Sequence, residues 1–166
     1  MRIFLVGFMG CGKSTLGKKL AHSLDHKFID LDQYIEDEEG RTIQQIFDED
    51  GEDYFRKLER VYLHRVIDEE NVVISTGGGT PCYFDNMEQM NDYGKTIYVN
   101  MHPKALIPRL KNSSQLRPLL KGLEGVELLD YIYKTLRERE YYYNSAKYIV
   151  PGFNLNAKKI IEFCEF

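Results

Sequence analysis

The stretch "GFMGCGKST", Gly7 to Thr15, places three glycines, a lysine and two hydroxyls directly after the apolar run "RIFLV". It satisfies G-x-x-x-x-G-K-[ST] at Gly7, Gly12, Lys13 and Ser14, with a strand-like run before it and a helical pattern after it. Glycines let backbone N–H groups turn inward around an anion with no Cβ in the way. A helix beginning near Lys13 aims its unsatisfied N–H groups and positive dipole end at the same point. Gly10, Cys11, Gly12, Lys13, Ser14 and Thr15 thus form a cradle for a nucleoside triphosphate. Lys13 brings charge to the β/γ-phosphates, and the Ser14 hydroxyl is placed for Mg²⁺. A glycine-rich turn before a basic helix is the plain alternative, and the flanking strand and helix argue against it.

A phosphate loop does not say what receives the phosphoryl group. The N-K-x-D signature expected of a GTPase is absent. "DLD" puts Asp30 and Asp32 two apart at the end of a strand-like run, where both side chains face one way. At the carboxyl end of a strand beside the phosphate loop they face the ligand crevice. One would order Mg²⁺ through water, and the other would accept a proton from a substrate hydroxyl. A helix beginning near Gln33 would also use Asp32 as its N-cap, which is compatible. "STGGGT" sets Gly77, Gly78 and Gly79 after another apolar run, where a ligand can press on bare backbone. "FRKLE" spaces Arg56 and Glu59 three apart on a helix: a surface ion pair, or a guanidinium held for a substrate carboxylate. Arg137 and Arg139 in "LREREYYYNSA" read as solvated or as carboxylate-binding, with Tyr141 to Tyr143 as packing. Arg117 in "RPLL" has the place of a lid cation that closes over transferring phosphates.

The elements that must position these residues read as α/β. Near-continuous apolar runs at 2–6, 27–31, 72–76, 95–99 and 147–150 fit strands buried on both faces of a parallel sheet. Leu16, Leu20 and Leu24 recur at helical spacing, as do Phe55, Leu58, Tyr62 and Val66, and Leu128, Ile132 and Leu136. Alternation of the two patterns predicts a doubly wound, three-layer α/β/α domain spanning 1–166. A long helical insertion follows the second strand, and the polar stretch 110–122 reads as a mobile loop. The net charge of -4 argues against a nucleic-acid backbone as partner. No run approaches the ~20 apolar residues needed to cross a bilayer, nor is there a signal-peptide pattern at the N-terminus. Three widely spaced cysteines, Cys11, Cys82 and Cys164, suit a reducing, cytoplasmic setting.

Taken in order, "GFMGCGKSTLGKKLA", "FIDLDQYIE", "GRTIQQIFDEDGEDYFRKLE", "STGGGT", "RLKNSSQLRPLL" and "REREYYYNSA" resemble the shikimate kinases, a branch of the nucleoside-monophosphate-kinase-like P-loop proteins. The resemblance runs nearly the whole chain. It implies a five-stranded parallel sheet, a substrate-binding insertion at about 32–60 and a lid at about 110–122. It also implies ATP- and Mg²⁺-dependent phosphorylation of the 3-hydroxyl of shikimate, on the route to chorismate and the aromatic amino acids. Carried over by motif, Asp32 binds the shikimate hydroxyls and is the candidate base, and Lys13 and Arg117 act on the phosphates. Arg56 and Arg139 hold the carboxylate beside Gly77, Gly78 and Gly79. Asp30 and Ser75 sit near the metal that Ser14 ligates, and Arg109 lies near the adenine. Cys11 stands where alanine is common, and Tyr141 where proline is common. Arg139 rather than Arg137 follows from its spacing to Tyr143 and Ala146. The nearest rival is another small-metabolite kinase such as gluconate kinase. An adenylate-kinase-like enzyme suits the carboxylate-binding arginine less well, and a non-catalytic nucleotide-binding module has no use for a base and a lid cation. The expected assembly is a monomer.

Overall fold

The computed structural model describes residues 1–111 and 122–166. Five strands form one parallel sheet: β1 (Arg2–Val6), β2 (Lys27–Asp30), β3 (Val72–Ser75), β4 (Lys95–Asn100) and β5 (Tyr148–Pro151). Their spatial order is β2-β3-β1-β4-β5. The strands lie within a residue or two of the apolar runs read from the sequence. Val, Ile and Leu dominate them because both faces are covered; Ile3, Phe4, Leu5 and Val6 are all fully buried.

β1 lies between β3 and β4; the connection from β1 runs to β2 on one side, and the connection from β3 crosses to β4 on the other. That divergence opens a crevice beyond the carboxyl ends of the strands. Register sets what meets there: Leu5 pairs with Ser75, and Asp30 with the same Ser75 from the other side. The loop after β1, the end of β2 and the turn after β3 therefore converge.

Helices cover both faces. α1 (Lys13–Leu24) follows the phosphate loop and packs with α6 (Pro103–Lys111) and α8 (Ala157–Cys164) around Leu5, Leu16, Leu20, Leu106 and Ile160. On the other face lie α2 (Leu31–Glu39), α3 (Ile43–Asp50), α4 (Glu52–Ile67) and α5 (Asn86–Tyr93), with Phe4, Ile35, Ile46, Leu63 and Ile74 between them and the sheet. The long helical insertion read from the sequence at 41–59 is two helices, α3 and most of α4, with α2 preceding them. Gly40 ends α2 at φ 64°, and Gly51 divides α3 from α4 at φ 85°, ψ 170°. Thr42 and Gln45 start α3 with a reciprocal capping box. Arg41, just before α3, reaches the end of the same helix at Glu49 and Asp50, each at 2.7 Å. The last long helix, α7 (Gly125–Asn144), spans both cores, burying Ile132 in one and Tyr143 in the other. Among the described residues no helix is long and apolar enough to cross a membrane.

Candidate active site

The crevice at the carboxyl ends of the strands holds about 1360 Å³ and runs from the phosphate loop to the α2–α4 insertion. Its donor end follows from the loop geometry. Gly12 takes φ 97°, a left-handed conformation, and hands the chain into α1 at Lys13. Lys13 is almost fully buried, and its Nζ donates to the carbonyls of Gly7 (2.7 Å) and Phe8 (2.9 Å). The ammonium is thereby folded over the cradle that it would share with a phosphate. Arg109, in the last turn of α6, brings Nη1 to 3.3 Å from where a Gly12 side chain would begin. It thus leans on the phosphate loop itself.

The oxygen set beside the loop is tight. The Ser14 hydroxyl donates to Asp30 and lies 3.3 Å from the Ser75 hydroxyl. Two hydroxyls and a carboxylate are hard oxygen donors of the kind Mg²⁺ takes when phosphates complete its shell. Among the described residues no group of three His, Cys, Asp or Glu forms a self-sufficient metal site. An ion here would therefore depend on the nucleotide, as Mg²⁺ commonly does.

Asp30 and Asp32 differ from the sequence expectation. They do not share a strand face, because β2 ends at Asp30 and α2 begins at once with Leu31. Asp30, not Asp32, is the N-cap; its carboxylate accepts from the Gln33 N–H at 3.5 Å. Asp32 sits in the first turn of α2 and lines the crevice. The helix start turns both carboxylates toward the same space by a different route.

The triple glycine explains itself by its neighbours. A Cβ on Gly77 would lie 2.9 Å from Asp32 Oδ1 and 3.1 Å from Glu59 Oε1. On Gly78 it would meet Arg139 Nη1 at 3.0 Å, and on Gly79 the guanidinium nitrogens of Arg56 at 2.7 Å. The sequence reading had a ligand pressing on bare backbone. In the structure the site's own charged side chains do so.

Arg56 and Glu59 are not a surface pair. Arg56 is 7 % exposed and Glu59 is fully buried, with Nη1 donating to Oε2 at 3.1 Å. Thr80 donates to the other Glu59 oxygen at 2.6 Å, and Glu52 accepts from Arg56 Nε and Nη2. Burial opposes the Arg56 charge, but Glu59, Tyr83 and Glu52 outweigh it and hold the guanidinium above its ordinary range. Burial pushes the Glu59 carboxyl up, against the pull of Arg56 and Thr80. Arg139 lines the same crevice, whereas Arg137 lines a separate depression with Asp130 and Lys134. Fully buried Tyr143 donates to the Gly78 carbonyl at 2.6 Å and receives Arg139 Nη1 at 3.5 Å, so it packs as expected. Tyr141 does not; it is 79 % exposed. Arg117 and the centre of the expected lid lie outside the described residues.

Glu52, Thr80 and Tyr83 were not singled out from sequence. One of them carried a signal: Glu52 stands four residues before Arg56, the spacing of helical neighbours.

The family model for shikimate kinase matches residues 9–165. The chain belongs to the shikimate kinase family. A shikimate kinase of Bacteroides thetaiotaomicron is 51% identical over 162 residues, covering 98% of this chain and 93% of that one. The crystal structure of shikimate kinase from the same organism superposes with a TM-score of 0.95 at 46% identity, covering 100% of this chain and 99% of that one. A shikimate kinase from Acinetobacter baumannii, solved in complex with shikimate, gives 0.89 at 31% identity over 99% of this chain and 92% of its own. Membership makes the chain a P-loop kinase that uses a nucleotide, and the five-stranded parallel sheet is the fold of that family.

Proposed function

We propose that this kinase transfers the γ-phosphoryl group of ATP to the 3-hydroxyl of shikimate, giving shikimate 3-phosphate and ADP on the route to chorismate. The observation that carries the reading is the pair of arginines, buried Arg56 and half-buried Arg139, facing the same crevice as the phosphate loop. A small hydroxy acid needs a guanidinium for its carboxylate and an acceptor for its hydroxyl proton, and Asp32 supplies the second.

In this reading the backbone of Gly10 to Thr15 and the Lys13 ammonium hold the triphosphate. Lys13 exchanges the Gly7 and Phe8 carbonyls for phosphate oxygens. Ser14, with Asp30 through water and Ser75 nearby, holds Mg²⁺, which when bound neutralises charge on the phosphate oxygens. Arg56 and Arg139 orient the shikimate carboxylate against Gly77, Gly78 and Gly79. Asp32 takes the proton as the 3-hydroxyl oxygen bonds to the γ-phosphorus and the bond to ADP breaks. Arg117 acts from the lid at 110–122, the segment at 32–60 binds the acceptor, and Arg109 contacts the nucleotide at its adenine end. We further propose that the enzyme works as a monomer in the cytoplasm.

A coupled ADP-release assay with Mg²⁺ tests this against shikimate, gluconate and a nucleoside monophosphate. Shikimate-dependent turnover is expected. Turnover with gluconate or the monophosphate, and none with shikimate, would overturn the assignment.

A further inference from the structure

Arg56 is more heavily engaged than a waiting binding group needs to be. Each of its three nitrogens already donates to a carboxylate: Nη1 to Glu59, and Nε and Nη2 together to Oε1 of Glu52, at 3.3 and 3.1 Å. The Nε–Nη2 edge is one that a substrate carboxylate would take in bidentate fashion. The two glutamates are not equivalent. Glu59 has a side chain 1 % exposed, locked between Arg56 and the Thr80 hydroxyl. Glu52 has a side chain 44 % exposed and stands in the first turn of α4. Arg56 itself has little room to swing, since its guanidinium lies against Gly79 and 4.2 Å from the centre of the Tyr83 ring. The Tyr83 hydroxyl completes the arrangement by donating to the same Glu52 Oε1 at 3.0 Å. An anion arriving at Arg56 therefore meets a guanidinium facing two carboxylates, of which only Glu52 is free to turn out into water.

We propose that Glu52 is an internal competitor for the binding site: a carboxylate that occupies Arg56 until the acceptor's carboxylate displaces it, with Tyr83 as the latch that holds it there. Simple anions gain only Arg56 on displacing Glu52. An acceptor that also reaches Arg139 and Asp32 gains more, and so displaces Glu52 at concentrations where a simple carboxylate leaves it in place. A half-exposed ion pair is weak enough to be exchanged for water on each cycle. This rests on the acceptor reading above.

The test measures binding of shikimate and of benzoate, a simple carboxylate, by calorimetry, with shikimate KM and kcat alongside. Glu52→Gln keeps the side chain's length and removes its charge. It should tighten both ligands by the same factor, about fivefold, lowering KM without raising kcat. Tyr83→Phe, which frees the latch but keeps the ring, should shift both the same way by about twofold. In an Arg56→Ala background neither change should matter. Weaker or unchanged binding in Glu52→Gln, no binding of either ligand to it, or tightening that survives loss of Arg56 would each overturn the proposal. Failure of shikimate alone to bind the unmodified enzyme would count against the acceptor reading, and the benzoate comparison would still decide the role of Glu52.

Discussion

At the scale of single residues, the acceptor side is built by pressing charged groups onto a backbone stripped of side chains. Asp32, Arg139 and Arg56 each come within 3.0 Å of where a side chain on the triple glycine would begin, so an alanine at any of the three collides with the chemistry. In the proposed reaction Asp32 has the most direct task. Asp32→Asn should lower kcat by roughly 10²- to 10⁴-fold while leaving ATP binding nearly as it was, because it removes the proton acceptor and nothing that touches the nucleotide. Steady-state kinetics with nucleotide titration would show it, and an unchanged kcat would remove Asp32 from the reaction. Spacing alone left Arg56 and Glu59 undecided, since an i, i+3 pair looks the same whether water or protein covers it. What covers them includes Thr80 and Tyr83, which stand just after the glycines, twenty-one or more residues beyond Glu59.

At the scale of elements, the insertion depends on sharp breaks between short helices. Gly51 sits at φ 85°, ψ 170°, a region that essentially only glycine occupies, and a Cβ there would meet nothing within 4 Å. Gly51→Ala should therefore cost about 1–3 kcal/mol from backbone strain alone, read from the urea midpoint. An unmoved midpoint would mean that the α3–α4 junction adapts. The sheet was legible in the sequence because strands covered on both faces must be apolar throughout, and that leaves a continuous run. The helix boundaries were less so. "DLD" looked like the end of a strand because Asp30 both closes β2 and caps α2 with no turn between them. The phosphate loop was legible in full, because its glycines and lysine answer to local geometry. Tyr143 under Gly78 and Thr80 against Glu59 answer to tertiary packing, which no local pattern records.

At the scale of the whole molecule, burial holds several weak acids in their neutral forms. It pushes the thiols of Cys82 and Cys164 up from 9.0 to about 11, and the phenols of Tyr62 and Tyr98 from 10.0 to about 12. Burial has help at Tyr62 from the carboxylate of Glu39, which accepts its proton at 2.7 Å. Each group keeps its proton longer when folded than when unfolded. As pH rises from about 9, the unfolded chain ionises first and gains free energy that the folded chain does not. Stability is thus expected to fall steadily between about pH 9 and pH 12, with a lower urea midpoint at the alkaline end. A midpoint that stays flat across that window would mean these groups are better hydrated than their burial implies.

The path of the chain between β2 and β3 has one more consequence. Those strands are immediate neighbours, with Asp30 beside Ser75, yet more than forty residues pass between them and carry Arg56, Glu59 and Glu52. The excursion is a parallel crossover, leaving β2 at the carboxyl edge of the sheet and returning to β3 at the amino edge, so its crevice-facing residues can change while the strands on either side keep their order and register. It behaves as a cassette. Evolution, or an engineer, can re-tailor much of what the enzyme accepts by rewriting one uninterrupted stretch of sequence, while the triphosphate end is inherited intact.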